Sequence, residues 1–444
     1  MRVWVAIVIV VASARAFADA PGDDLPAARA VGRAGTGLVS DDGAGALIAN
    51  PGALARRGQA RGQASLVSDD QDLSYATGSI TIGDQASGAL APAAAAEDAI
   101  GDALVVGAGY ATTAAWTRAL PVPAGGQPAM DVAKLYPHRY AGLGGSFTRR
   151  TVAAALAWRA TDSLAIGASA RLDQVSLDER RRLWAGFAGR DDANDPTRDV
   201  DLQLRGSDGV VPGGAIGALF APTDAPIELA VAAGATAPAH LDGDVTAAQV
   251  GAPTVEEVAP SARIDLPASL TVRAGARFLA ERWTLEIGGD LALAPARSEP
   301  TWAIEGVRVI DPTTKVAADL TSVPSLYTTG AHGSARAAVD VEIAEGLCWL
   351  TAGYAWSSRS TPLVTTAPVF AELGGHTAAA GLELTAQGFT ITAGWSRTFA
   401  ATAVIDQGAV TQVNPFAAGA AVANLGTYTT DRDLFALSVE LALD

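Results

Sequence analysis

The side chains best suited to catalysis or metal binding are few and far apart in this chain. Its four histidines are His138, His240, His332 and His376, and Cys348 is its one cysteine. The histidines lack metal-ligand spacing, and neither HExxH nor GxSxG occurs. A hydrolytic site would have to be assembled from distant residues. The expectation is therefore a protein that is not an enzyme and that uses no cofactor and no metal.

Arginines and apolar groups could instead recognise a ligand without transforming it. The segment LDERRRLWAGFAGRDDANDPTRD, residues 177–199, sets Leu183, Trp184 and Phe187 in polar surroundings. Such a cluster is either a capture patch for an apolar ligand or the loop's own packing. Arg180, Arg181 and Arg182 beside it suit a carboxylate or a lipid phosphate, or form a solvated charge run. Arg273 and Arg277 could offer a cation to an acidic head group, or could balance Glu286 and Asp290.

These residues must be positioned by strands. In SLTVRAGARFLAERWTLEIGGDLALA, residues 269–294, Leu270, Val272, Ala274, Ala276 and Phe278 share one face, and Trp283, Leu285, Ile287 and Leu291 share a face of the next segment. Pairing Phe278 with Trp283 aligns the apolar faces and leaves 279–282 as the turn, with Glu286 diagonal to both arginines. The same construction recurs around 337–356 and 378–395, and earlier hairpins turn at Thr161-Asp162-Ser163 and near APTDAP, residues 221–226.

Short turns alternate with long Pro- and Asp-rich connections at 114–138, 173–199, 236–264, 294–326, 358–374 and 401–429. That wiring predicts an all-β protein, a transmembrane antiparallel β-barrel of about 14 strands. The strands are expected at 57–68, 72–83, 102–113, 139–160, 164–177, 200–220, 226–235, 265–279, 283–293, 329–343, 347–357, 375–385, 388–400 and 431–443. Ala-rich Leu90–Ile100 reads as a short helix in a turn. Gly142–Gly145 reads as a strand irregularity or a site of close packing. Long strands with long loops do not suit the competing layout, an exported soluble sandwich.

Export is expected from Arg2, the apolar run Val3–Ala14 and Ala16-Phe17-Ala18, which together match a signal peptide over residues 1–18. The formal charge is −16, or −18 once Arg2 and Arg15 depart with that leader, and the acid excess argues against a nucleic-acid partner. A barrel over 57–444 leaves residues 19–56 with no strand to form. Small residues there allow close approach, so Leu38, Val39, Leu47 and Ile48 are candidates to pack in the lumen as a plug and to meet a ligand.

The opening segment GRAGTGLVSDDGAGALIANPGAL, residues 32–54, resembles the N-terminal signature of the FadL family of outer-membrane transport proteins for long-chain fatty acids and other hydrophobic compounds. Gly32, Ala34, Gly37, Asp41, Asp42, Asn50, Pro51 and Leu54 match, whereas Gly52 stands where the family usually has Ala. Asp41 and Asp42 are suited to hydrogen-bonding the plug backbone, and Asn50-Pro51 to a turn. The resemblance implies a monomeric, hatch-plugged barrel in the cell outer membrane, in contact with its lipid. It would take hydrophobic small molecules such as fatty acids passively from the loops to a lumen site and release them sideways. A general porin for small polar solutes, or a structural or secretion-associated barrel, is the alternative.

Overall fold

The computed structural model describes residues 27–40, 43, 45–56, 60–86, 88–123, 127–187, 189–293, 299–416 and 421–443. The signal peptide expected at 1–18 and the motif residues Asp41 and Asp42 lie outside them.

Fourteen antiparallel strands form a closed ring. They are β1 (Ala60–Thr77), β2 (Ala89–Ile100), β3 (Leu104–Ala119), β4 (Gly144–Arg159), β5 (Leu164–Trp184), β6 (Asp199–Phe220) and β7 (Ile227–Thr236), followed by β8 (Ser269–Leu279), β9 (Trp283–Leu293), β10 (His332–Ala344), β11 (Cys348–Ser357), β12 (Gly375–Ala386), β13 (Phe389–Ala400) and β14 (Gly426–Leu443). Closure is made by β14 on β1, in register from Ala60↔Leu443 to Ala76↔Thr427. No edge of the ring is left unpaired at that seam, which suits a structure immersed in lipid.

The alternation sorts side chains as a bilayer requires. Leu270, Val272, Leu285, Ile287 and Leu291 face outward and are exposed, while Thr271, Arg273, Thr284 and Glu286 face inward and are buried. In water such an outer belt would be strongly unfavourable; against acyl chains it is not. Trp158 and Trp283 are exposed on that outer face near strand ends, whereas Trp395 is exposed midway along β13.

Two details differ from the sequence expectation. In the β8–β9 hairpin Phe278 opposes Leu285, two residues beyond the expected Trp283, and the turn closes from the Ala280 N–H to the Trp283 carbonyl at 2.9 Å. A shift of two preserves both faces, so the alternation could not distinguish the registers. It places Glu286 directly opposite Arg277, and the Phe278 and Trp283 rings still meet with centroids 5.5 Å apart.

The second difference lies at the start of the barrel. The segments expected as two strands, 57–68 and 72–83, are mostly the single strand β1, which turns at Gly78 into a short addition at Ile80–Gly83. Leu90–Ile100, expected as a helix, is β2. Alanine favours helix in isolation, but here pairing with β1 and β3 overrides that preference. The merged pair and the unexpected strand offset each other, so the total of fourteen stands.

At the long-loop end, the upper half of β6 is extended by strands at Ala239–Gln249, Thr254–Leu266 and Thr301–Ile310, paired from Val200↔Gln249 onward. Much of 236–264 and 294–326, expected as loop, is therefore sheet. Its apolar face, including Trp302, Ile304 and Val309, forms the core of a cap.

Inside the barrel, the segment from Ala27 to Arg56 forms the hatch. Its helix α1 (Ala28–Gly32) lies on β12, β13 and β14, and its second helix α2 (Ala46–Ala49) is followed by a 3₁₀ turn, Pro51–Arg56, against β4, β5 and β6. Backbone meets backbone. A Cβ on Gly381 would lie 3.2 Å from the Gly32 Cα, and one on Gly167 would lie 2.3 Å from the Pro51 carbonyl carbon. Gly52, the departure from the family pattern, has the same cause: a Cβ there would lie 2.8 Å from the Gly217 carbonyl oxygen.

Gly217→Ala should displace the hatch, because its Cβ would fall 2.0 Å from Asn50 Oδ1. At about 1–3 kcal/mol for such overpacking, protease cleavage within the hatch should accelerate about tenfold, read by mass spectrometry on the folded barrel.

Candidate functional site

An ion-pair network fixes the hatch to the wall. Arg33 is fully buried; its Nε donates to Asp340 at 3.0 Å, its terminal nitrogens reach Asp340, Ser40 and, at 3.2 Å, Glu286. Asp340 also accepts from the Thr284 and Thr351 hydroxyls at 2.8 Å each, and Glu286 accepts the Val39 N–H at 2.9 Å. A second clamp joins Arg56 to both oxygens of Glu228 at 2.8 and 2.7 Å. Asp340, Glu286 and Glu228 on the wall are thus each paired with an arginine of the hatch, as buried charges require.

Above the hatch lies a cavity of about 250 Å³. Val31, Ala34 and Leu38 of the hatch line it from below, and Ala91, Thr112 and Ala114 line one side. Its lining also holds arginines bound to neighbours: Arg432 to Asp69 at 2.6 Å, Arg336 to Asp290 at 2.7 Å and Arg118 to Gln71 at 2.7 Å. Beyond Arg118, Ala371 and Glu372 of that lining lies an aromatic cluster. Trp116 meets Phe370 edge-on with centroids 4.1 Å apart, Phe370 meets Tyr327 at 5.4 Å, and Tyr327 stacks on Phe147 at 4.8 Å.

The wall beside this cavity is interrupted. β2 and β3 pair from Ile100↔Leu104 up to Ala93↔Ala111, and among the described residues no pair joins 89–92 to 112–118. Residues 89–92 remain bound to β1 on their other side. Pro92 has no N–H to offer a ladder, and β3 carries a bulge between Thr112 and Ala114. The Thr113 hydroxyl donates to Thr151 at 2.9 Å, and Thr151 donates to Asp173 at 2.7 Å, which ties the bulge toward β4 and β5. The wall resumes where Ala119 accepts the Gln85 N–H at 2.8 Å and donates to Asp84 at 2.9 Å. The result is a window bordered by β2 and β3, with the cavity behind it.

The residues expected from sequence are distributed unevenly around this site. Leu38 and Arg273 line the cavity. Val39, Leu47 and Ile48 are instead packed between hatch and wall. Arg277 lies 3.6 Å from Glu228, in the hatch clamp. Gly32 makes the close approach to β12, Asn50 Nδ2 donates to the Leu38 carbonyl at 3.0 Å, and Pro51 opens the 3₁₀ turn.

The proposed capture patch is corrected. β5 runs on to Trp184, so Leu183 and Trp184 are buried in the cap. Phe187 stacks on Phe416 at 4.9 Å. The loop packs on itself. Its arginines are likewise internal or paired: Arg180 with Asp201 at 2.7 Å, Arg182 with Asp199 at 3.2 Å, and Arg181 with the Pro324 carbonyl. Gly142 and Gly145 prove to be sites of close packing against Val369 and Phe370, where a Cβ would lie 2.6 and 3.1 Å away; β4 starts in regular register.

Sequence reasoning missed Arg33 and the Thr112–Ala114 bulge. The first had a signal, a cation inside a run of Gly and Ala opposite inward-facing Glu286 and Asp340. The bulge had none, because one inserted residue in a Thr/Ala stretch leaves the alternation too weak to read.

His138 is a pH-sensitive element of the cap. His138 is completely buried, with Nε2 2.9 Å from the Pro121 carbonyl. Burial, with the Arg139 charge adding to it and the Pro121 hydrogen bond opposing, lowers its pKa to about 4. The neutral ring is favoured in the folded state, so its contribution is complete above the unfolded value of about 6.5 and is lost as pH falls toward 4. Across that window the loop should lose about 3 kcal/mol. Hydrogen exchange of residues 137–143 should rise steeply relative to His138→Gln at the same pH.

At the level of sequence, neither a family model nor a curated protein matches the chain. Solved structures do match in fold. The architecture is that of the FadL-type channels, a fourteen-stranded barrel with an N-terminal plug. A Pseudomonas aeruginosa FadL homologue superposes with TM-score 0.74 at 16% identity, covering 97% of this chain and 100% of that one. The Pseudomonas putida toluene transporter TodX gives 0.67 at 15%, covering 95% and 99%. The Ralstonia pickettii toluene transporter TbuX gives 0.58 at 16%, covering 94% and 98%.

Proposed function

We propose that the protein is an outer-membrane channel for passive uptake of hydrophobic compounds, which enter from the loop end, occupy the cavity above the hatch and leave sideways through the β2–β3 window. In this reading residues 1–18 are the export signal, 19–56 the hatch and 57–444 a monomeric barrel. The observation that carries it is the window, since a polar solute gains nothing from an opening that faces acyl chains, whereas an apolar one passes between two apolar surroundings. The seated hatch argues against an open, water-filled porin.

Cavity size and charge favour small, uncharged ligands over long-chain carboxylates. A cavity of about 150 Å³ suffices for benzene, whereas drug-sized ligands use about 300–1,000 Å³. Arg118, Arg336 and Arg432 already have acceptors, so a carboxylate would have to displace one. The names of TodX and TbuX as toluene transporters agree with this preference.

The test is uptake of labelled toluene, oleate and a small sugar by cells lacking their own fatty-acid channels, with and without the protein. Toluene uptake without sugar leakage is the expected result, with oleate slower. Sugar uptake alone would indicate a porin. Uptake of none of the three by a folded barrel would favour a structural or secretion-associated role.

A further inference from the structure

On the lipid-facing side, next to the window, the wall is concave. A groove of about 790 Å³ crosses β12, β13, β14, β1 and β2. Strand register resolves it into two rows. One runs Leu382↔Ala393↔Leu437↔Leu66↔Pro92, and the other Ala380↔Trp395↔Phe435↔Ser68↔Leu90. Small residues make the floor, with Ala64, Ser68, Ala380 and Ala393 among its lining; Trp395, Phe435, Leu437 and Leu382 rise around it. Ser68 supplies the one hydroxyl in the two rows.

Both rows end on β2 at Leu90 and Pro92, within the segment 89–92 that borders the window. Alternation turns Ala91 to the other side, where it lines the lumen cavity. The inner cavity and the outer groove are therefore separated by the single unpaired edge of β2. We infer that the groove is a second binding site for the transported compound, occupied after passage through the window and before dispersal into the bilayer. This inference rests on the channel reading proposed above.

The occupant is a compact, uncharged ring compound. A flexible acyl chain fills a pitted floor poorly and forfeits dispersion contacts wherever a gap remains. A rigid ring seated over Ala393 recovers those contacts and meets the Trp395 and Phe435 side chains, which favour offset or edge-on aromatic neighbours. Continuity with the window puts an emerging ligand there first.

The test fills the floor with the double substitution Ala64→Phe/Ala393→Phe, and uses Ala233→Phe, which faces lipid on β7, as control. Heat-dependent electrophoretic mobility verifies that each barrel is folded. Toluene uptake should fall at least fivefold in the double variant and stay unchanged in the control. In lipid nanodiscs, an aryl-azide analogue of toluene should photolabel the 393–395 and 435–437 segments of the wild type, and excess toluene should suppress that labelling. Unchanged uptake by the double variant, or labelling that toluene does not suppress, would overturn the inference, the latter indicating acyl chains as the occupant. Absence of toluene uptake by the wild type would reject the channel reading itself.

Discussion

Arg33→Met is expected to unseat the hatch and convert a sealed barrel into one that leaks small polar solutes. The substitution keeps much of the side-chain length and removes the charge that Asp340 and Glu286 share, together with the hydrogen bonds to them and to Ser40. Both carboxylates are buried, and removing one partner of a buried ion pair costs about 3–5 kcal/mol, because the remaining charges lose their compensation. They can regain it only by admitting water, which means parting hatch from wall. At that cost a hatch seated almost always would be displaced much of the time.

The fourteen-strand ladder does not depend on Arg33, so heat-dependent mobility of the barrel should be preserved. Liposome swelling in arabinose should rise well above the wild-type level. Arg33→Met/Glu286→Gln/Asp340→Asn should restore most of the seal by removing the stranded charges. A sealed single variant would show that the glycine contacts alone hold the hatch.

Deleting Thr113 should have the opposite consequence, closing the window and abolishing lateral release. Thr112 pairs with Arg150 and Ala114 with Arg149, so Thr113 is the extra residue of the bulge. Its removal makes the β3–β4 ladder continuous, straightens β3 and brings its free edge toward residues 89–92 of β2. Pro92 still withholds one hydrogen bond, but the neighbouring residues can pair. Toluene uptake should fall at least tenfold while the barrel gains rather than loses resistance to unfolding. Undiminished uptake by a folded deletion variant would place the exit elsewhere.

Much of the fold was legible because a barrel wall repeats one simple rule. Where strands carry strong contrast, as Leu270, Val272 and Phe278 against Arg273 and Arg277, their positions were read to within a few residues. Contrast vanishes in Ala89–Ile100, where small residues face both sides to admit the hatch within and form the groove without. Helix propensity then gave the wrong element. The cap was read as loop because its strands mix exposed acids, such as Glu256 and Glu257, with short apolar stretches.

The candidate site was less legible than the wall. Arg273 and Leu38 were found because each stood out from its surroundings, a cation on an inward face and a leucine among glycines. Leu183 and Trp184 stood out equally, but sequence contrast records only that a side chain is apolar, not which surface it meets. The aromatic cluster beside the cavity joins Trp116, Phe147, Tyr327 and Phe370 from distant stretches of the chain, and no local pattern connects them.

The seat of α1 also bears on the order in which this molecule is made. Ala28 and Val31 pack in one cluster with Val67 of β1, Ala91 of β2 and Ala436 of β14, so the first described helix rests across the seam where the last strand meets the first. A helix so placed holds both ends of the chain at once, and an amino-terminal segment already lying within the curling sheet when β14 docks is expected to help bring those ends into register. Truncation of the hatch would accordingly slow barrel closure as well as open the pore.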